Sequence, residues 1–242
     1  TSVSVNPFRF DKAANKTLLS LDQMETVFHE MGHAMHLMIG RTKLHNLAGT
    51  RCLTDFAELP LVLMEFFAKD PRVLGKILRH HETNEPIDVE MLAQHQKQRQ
   101  LLDFTELYIQ LKMATLDQVL HLGKTVVEAQ KGTFDLTQVY HSVESSLEIF
   151  ADSWSTWHGK FPHLFLYGAV YYLYLLDRAI AEKLWHGLFE KDPWSREAGE
   201  KYKNSILRWG GTRDPWEMLA DALGNEELRR GDERSMEIIA TE

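Results

Sequence analysis

The sequence has a single cysteine, Cys52, so no intramolecular disulfide framework can brace it. A reducing or matrix-like compartment is favoured over secretion. It also lacks an apolar run long enough to cross a bilayer. The nearest, Phe161 to Leu176, is too short and is broken by Pro162, His163 and Gly168, so no membrane insertion is expected. Positive charge is in the minority. The formal balance is −8 and the pI is near 5.8, with no platform of basic and aromatic residues, so nucleic acid is not an expected partner. The N-terminal TSVSVNPFRF carries neither a signal-peptide nor an Arg-rich transit pattern, and reads as an entry into the middle of a larger protein.

Proline and glycine are sparse (7 and 14), which leaves long segments for helices, several with 3.6-residue periodicity. The expected class is all-α. Ser20, with Gln23 three residues on, opens a helix through a capping box, and that helix runs to about Gly40. Thr54 and Asp55 open a second, through about Lys69, bent near Pro60. Further helices are expected over 71–82, 87–99, 101–122, 137–151, 163–190, 196–208 and 214–223. The connection 41–53 has room for a short hairpin. The polar C-terminal GDERSMEIIATE is expected to fray.

The chemistry is concentrated in E-T-V-F-H-E-M-G-H-A-M-H. His29 and His33 are four residues apart, so on a helix both imidazoles leave one face and can share a tetrahedral zinc ion. Glu30 points slightly around the helix, where it can take a proton from the attacking water instead of binding the metal. Val27, Phe28, Met31, Ala34, Met35, Leu37 and Met38 make the helix apolar nearly all round, which predicts burial. Buried histidines and a glutamate need partners, and a metal supplies them. A catalytic zinc takes three protein ligands. Glu58, at the start of the next helix, is the best third candidate. Glu65, seven residues later on the same face, suits a hydrogen bond from a ligand imidazole. His36 competes for the third place, but seven residues of helix carry it about 10 Å along the axis from His29. Asp55 suits a helix start better than a ligand position.

F-H-E-M-G-H-A-M-H, G-T-R-C-L-T-D-F-A-E-L-P and L-M-E-F-F resemble the thimet oligopeptidase family of zinc peptidases. So do W-H-G-K-F-P-H-L-F-L-Y-G-A-V-Y-Y-L-Y-L-L-D-R-A-I-A and A-G-E-K-Y-K-N-S-I-L-R-W-G-G, so the likeness covers nearly the whole chain. It is nearest to members that trim an N-terminal octapeptide from precursors imported into the mitochondrial matrix. The resemblance implies a helical zinc endopeptidase with its metal at the base of a deep channel and Glu58 as third ligand. It also implies that His163, Tyr167, Tyr171 and Tyr174 close over a peptide or precursor-protein substrate from a glycine-containing loop and the following helix. Tyr171 and Tyr174, three apart, would share one helix face, from which a phenol can donate to the oxyanion of a tetrahedral intermediate. His158 offers an alternative to His163, and each tyrosine also suits a core position.

Family members are much longer, and residues 1–242 correspond to their C-terminal catalytic part. An N-terminal half, or a partner chain, is expected to supply the opposite wall of the channel. Leucine stands at 37, 166 and 173 where small residues are usual, and Pro162 precedes His163 where glycine or serine is usual. A stiffer loop and a more apolar cleft are expected. These departures motivate the alternative expectation of a weakly active or inactive homologue serving as a structural subunit.

Overall fold

The computed structural model describes residues 9–11, 16–132, 134–148 and 155–241. They form two compact units, one drawn from 1–99 with 177–242, the other from 100–176. The expected all-α class holds, with one addition. Strands β1 (Arg9–Asp11) and β2 (Lys16–Leu18) pair antiparallel, Arg9 opposite Leu18. The hairpin therefore precedes the helix that carries His29 and His33 and is not in 41–53, where the chain makes a 3-10 turn at His45–Leu47. There the Gly49 N–H donates to Gly40 O and the Gly211 N–H to Leu47 O, both at 2.8 Å. Groups that a hairpin would pair with each other are thus bonded elsewhere.

Helix α1 (Leu21–Ile39) starts as its capping box predicts. The Gln23 N–H donates to Ser20 Oγ (3.2 Å), and the Ser20 N–H to Gln23 Oε1 (2.9 Å). Its burial is less than expected. Gly32 and His36 are buried, but Met31, Leu37 and Met38 are about half exposed, at 48%, 52% and 55%. The reason is that α2 (Leu59–Lys69) packs mainly on one face, leaving the opposite apolar stripe to solvent. Helix α2 begins later than predicted, because Thr54–Phe56 forms a 3-10 turn in which Asp55 (ψ 16°) leaves helical geometry. Pro60 then falls in the first turn of α2, where its missing N–H costs nothing, and introduces no bend. Leu59, Leu61 and Leu63 are fully buried, and Phe67 meets Trp185 and Phe189 edge-on at 5.0 Å. Helix α3 (Pro71–Ile77) stops short of residue 82 because Leu78 turns extended and Arg79 bridges to Pro86.

Helix α4 (Val89–His121) replaces the two helices expected at 87–99 and 101–122. Nothing between Arg99 and Leu101 breaks a helix, so it continues. Helix α5 (Gly123–Gln130) and α6 (Leu136–Leu147) follow. Asp135 caps α6 by accepting the Thr137 and Gln138 N–H groups, and Glu148 ends it at φ +56°. The predicted last residues, 149–151, lie outside the described ones. Leu116, Tyr140 and Val143 form one core cluster of this unit; Met113, Ala114, Phe161 and Tyr171 form another. The helix expected over 163–190 is interrupted. A single turn, α7 (His163–Leu166), is followed by a non-helical turn, and α8 (Leu173–Leu184) begins only after it. Asp117 accepts the Ala169 and Tyr171 N–H groups, which removes them from any helical ladder.

A π-helical turn, Trp185–Phe189, extends α8, and α9 (Arg196–Ser205), a 3-10 turn (Leu207–Trp209) and α10 (Pro215–Leu223) complete the predicted order. The C-terminal segment is not frayed through 240. Asp232 caps α11 (Glu233–Ala240), Ser235 Oγ donates to Glu227 O at 3.2 Å, and Ile239 is buried. One apolar side chain and a buried hydroxyl suffice to dock a helix whose composition is otherwise polar.

Candidate metal centre

One turn of α1 and the chain just before α2 supply the site. Among the described residues, His29, His33 and Glu58 bring one ligand atom each within 4.8 Å of one another. His29 Nε2 lies 3.7 Å from Glu58 Oε2, and the two imidazole rings meet edge-on at 5.9 Å. A tetrahedral zinc with bonds of about 2.0–2.2 Å sets its ligand atoms roughly 3.3–3.5 Å apart. The His29–Glu58 pair is within a few tenths of an ångström of that spacing, and two imidazoles with one carboxylate are the donor types zinc takes. His36 is outside this group. It is 1% exposed, and burial, then the charge of His33, pull its pKa down to about 4.

Glu65 sits behind His29. His29 Nδ1 is 2.8 Å from Glu65 Oε1, so the ring proton belongs on Nδ1 and the Nε2 lone pair faces the ligand group. Glu65 is held in turn by Lys69 (3.6 Å), Lys69 by Glu25 (2.6 Å), and Glu25 by Arg99 (3.1 Å). Burial alone would lower the His29 pKa, but the Glu65 bond and the charges of Glu65, Glu58 and Glu30 outweigh it and raise it. At His33 burial wins and the pKa is lowered, which favours the neutral imidazole a metal requires. Glu30 is close enough to both histidines for its charge to raise their pKa values. Burial raises the Glu65 pKa, but its bond to His29 and its pair with Lys69 bring it below the ordinary value.

Sequence reasoning missed Asp177. It is fully buried, its carboxyl makes no well-formed hydrogen bond among the described residues, and it lies near Glu58, Asp55 and Tyr202. Burial, then the charges of Glu58 and Asp55, push its pKa up to about 9. A neutral acid there leaves the negative charge of Glu58 available to a cation. An acid inside the apolar run L-Y-L-L-D was the signal that could have found it.

In the 100–176 unit, His163 faces Tyr167, Tyr171 and Tyr174 at ring distances of 5.8, 5.5 and 6.3 Å. Tyr171 is in the turn before α8 and not on the helix with Tyr174, although their rings lie 4.9 Å apart. Its hydroxyl donates to Gln110 Oε1 at 3.0 Å, and burial pushes its pKa up to about 12. His158 packs separately, against Tyr140 at 4.8 Å. Of the leucines singled out, Leu166 is 76% exposed, and Leu173 is buried.

Two histidines on one helix and a carboxylate just before the next, with a second carboxylate between the histidines in sequence, make a candidate mononuclear metal site in a helical domain. Comparison with known sequences makes this more specific. Residues 2–238 match peptidase family M3, and the chain belongs to that family. It is similar to the mitochondrial intermediate peptidase of Scheffersomyces stipitis, with 71% identity over 225 residues, 92% of this chain and 28% of that protein. The mitochondrial intermediate peptidases of Debaryomyces hansenii and Candida albicans are 68% and 66% identical, again over 92% of this chain. The chain thus spans between a quarter and a third of the length of these relatives (28–29%).

Proposed function

We propose that this chain is the catalytic part of a zinc endopeptidase that removes short N-terminal segments, octapeptides, from precursors imported into the mitochondrial matrix. The observation that carries the reading is the His29–His33–Glu58 group, with His29 oriented by Glu65. The names of the relatives support a mitochondrial peptidase, and the matrix and the octapeptide rest on the family resemblance. His29, His33 and Glu58 would hold the metal. When bound, zinc polarises a carbonyl and lowers the pKa of water towards neutrality. Glu30 accepts the proton of the attacking water and delivers it to the departing amine. Tyr174 and Tyr171, with His163, donate hydrogen bonds to the oxyanion of the tetrahedral intermediate, and the Tyr167 segment covers the substrate. Tyr171 must first exchange its Gln110 partner for the substrate. An N-terminal half or a partner chain closes the channel and supplies positioning.

The test is Glu30→Gln in the zinc-loaded chain. Zinc content is expected to stay at the wild-type level while cleavage of an unstructured peptide falls by on the order of a hundredfold or more. Unchanged cleavage refutes the role of Glu30. The engaged, buried hydroxyl of Tyr171 favours a second reading, a weakly active homologue with a structural role. That reading fails if the wild-type chain turns over robustly with zinc.

A further inference from the structure

The turn between α7 and α8 is built against one face of α4, and Asp117 is at its centre. This carboxyl group is fully buried. Its Oδ1 accepts the Ala169 N–H at 3.0 Å and its Oδ2 accepts the Tyr171 N–H at 2.9 Å. The next residue, Gln118, donates from Nε2 to the Ala169 carbonyl oxygen at 2.9 Å. Both polar groups of Ala169 are therefore bonded to α4. One turn further along, His121 Nδ1 lies 3.1 Å from Asp117 Oδ1, and its Nε2 lies where a Cβ on Gly168 would intrude, at 2.6 Å. Ala169 has φ +66°, a left-handed conformation that a residue with a Cβ keeps only where its surroundings impose it. Two turns before Asp117 on the same helix, Gln110 accepts the Tyr171 hydroxyl. Tyr171 is thus fastened at its backbone and at its phenol by residues seven apart on α4.

We infer that Asp117, assisted by Gln118, is a positioning residue that sets the 167–172 turn and, through it, the placement of Tyr167 and Tyr171 around His163. This rests on the reading above, in which those rings act on the substrate. The physical reason is economy of alternatives. A buried carboxyl that accepts two backbone N–H groups leaves each of them no other acceptor, so the turn has one low-energy arrangement. Such anchoring counts for catalysis because small displacements of a donor cost large factors in rate. Nothing in the clamp requires contact between Asp117 and the substrate.

The experiment uses the zinc-loaded full chain. Asp117→Asn keeps the shape but turns one acceptor into a donor that faces a backbone N–H. Hydrogen exchange read by mass spectrometry is expected to lose about tenfold protection at Ala169 and Tyr171, with the metal helix and zinc content unchanged. Gln118→Ala, milder for folding, should loosen Ala169 to a smaller extent. For peptide cleavage, kcat in Asp117→Asn should fall on the order of ten- to a hundredfold with KM within about twofold. Adding Ala169→Gly should return part of that loss, since glycine holds a positive φ without the clamp. Wild-type exchange at both amides overturns the inference, and so does loosened exchange with undiminished kcat. Tyr171→Phe with Tyr174→Phe tests the parent reading separately. If that pair leaves cleavage intact, the tyrosine assignment fails, while the exchange data still decide the clamp.

Discussion

Gly32 offers the sharpest test of how the candidate metal centre is assembled, because it sits between His29 and His33, the two proposed ligand histidines. A Cβ at this position would lie 2.7 Å from Leu61 Cα, 2.9 Å from Pro60 O and 3.0 Å from Leu61 N. All three atoms are backbone, so no rotamer change can relieve the contact. Comfortable carbon–carbon separation is about 3.5–4.0 Å, so in Gly32→Ala the first turn of α2 must retreat by roughly 1 Å. Overpacking of this kind costs about 1–3 kcal/mol, and the better helix propensity of alanine returns about 1 kcal/mol. Folding stability should therefore drop by only about 0–2 kcal/mol. The metal site should suffer more, because Glu58 is bonded directly to the turn that moves and its Oε2 starts 3.7 Å from His29 Nε2. Zinc affinity is expected to fall on the order of 10- to 100-fold, the loss typical when a ligand is no longer held in place. Competition against a chromophoric chelator measures the affinity, and thermal unfolding of the metal-free chain measures the stability. Wild-type zinc affinity in Gly32→Ala would refute the claim that close approach of α1 and α2 sets the ligand geometry.

Two further outcomes follow from the groups behind the ligands. Glu65→Gln weakens the acceptor that orients His29, so zinc affinity should fall roughly 10- to 100-fold with the fold intact; equal affinity in chelator competition would contradict the orienting role. His36 links stability to pH. Its folded pKa is about 4 against 6.5 for an exposed histidine, so between these values the unfolded chain binds a proton that the folded chain does not. Its contribution is complete above pH 6.5 and is lost as pH falls towards 4, about 2 kcal/mol of it by pH 5. Urea unfolding of the metal-free chain at pH 7 and pH 5 should show a shallower pH dependence in His36→Asn; an identical dependence would exclude His36 as the source.

Local rules read well wherever one helix carries the whole message. The Ser20–Gln23 box, the four-residue spacing of His29 and His33, and the helix expected over 214–223 need no knowledge of the rest of the chain. The errors have a common origin in long-range partners. The 163–190 segment has helical periodicity, but Asp117, 52 residues before Ala169, takes the N–H groups that would have continued the helix. The tail after Gly231 has the polarity of a frayed end, yet Ser235 and Ile239 dock it. Composition predicted a buried α1, whereas burial depends on how many neighbours cover it, and α2 covers one face.

The same division runs through the metal centre. Sequence by itself determined that His29, Glu30 and His33 share one turn of helix, because helical geometry is a property of consecutive residues. It also placed Glu65 seven residues from Glu58, on one side of α2. Only the tertiary structure decided that Glu58, and not His36, joins the histidines, because that depends on where the chain returns after residues 40–53. It alone showed Asp177 beside Glu58, and Asp117 beneath the tyrosine turn. Spacing along a helix is set by bonds each residue makes with its near neighbours. The meeting of distant residues is set by packing, such as the contact of Gly32 with Leu61, which no local pattern encodes.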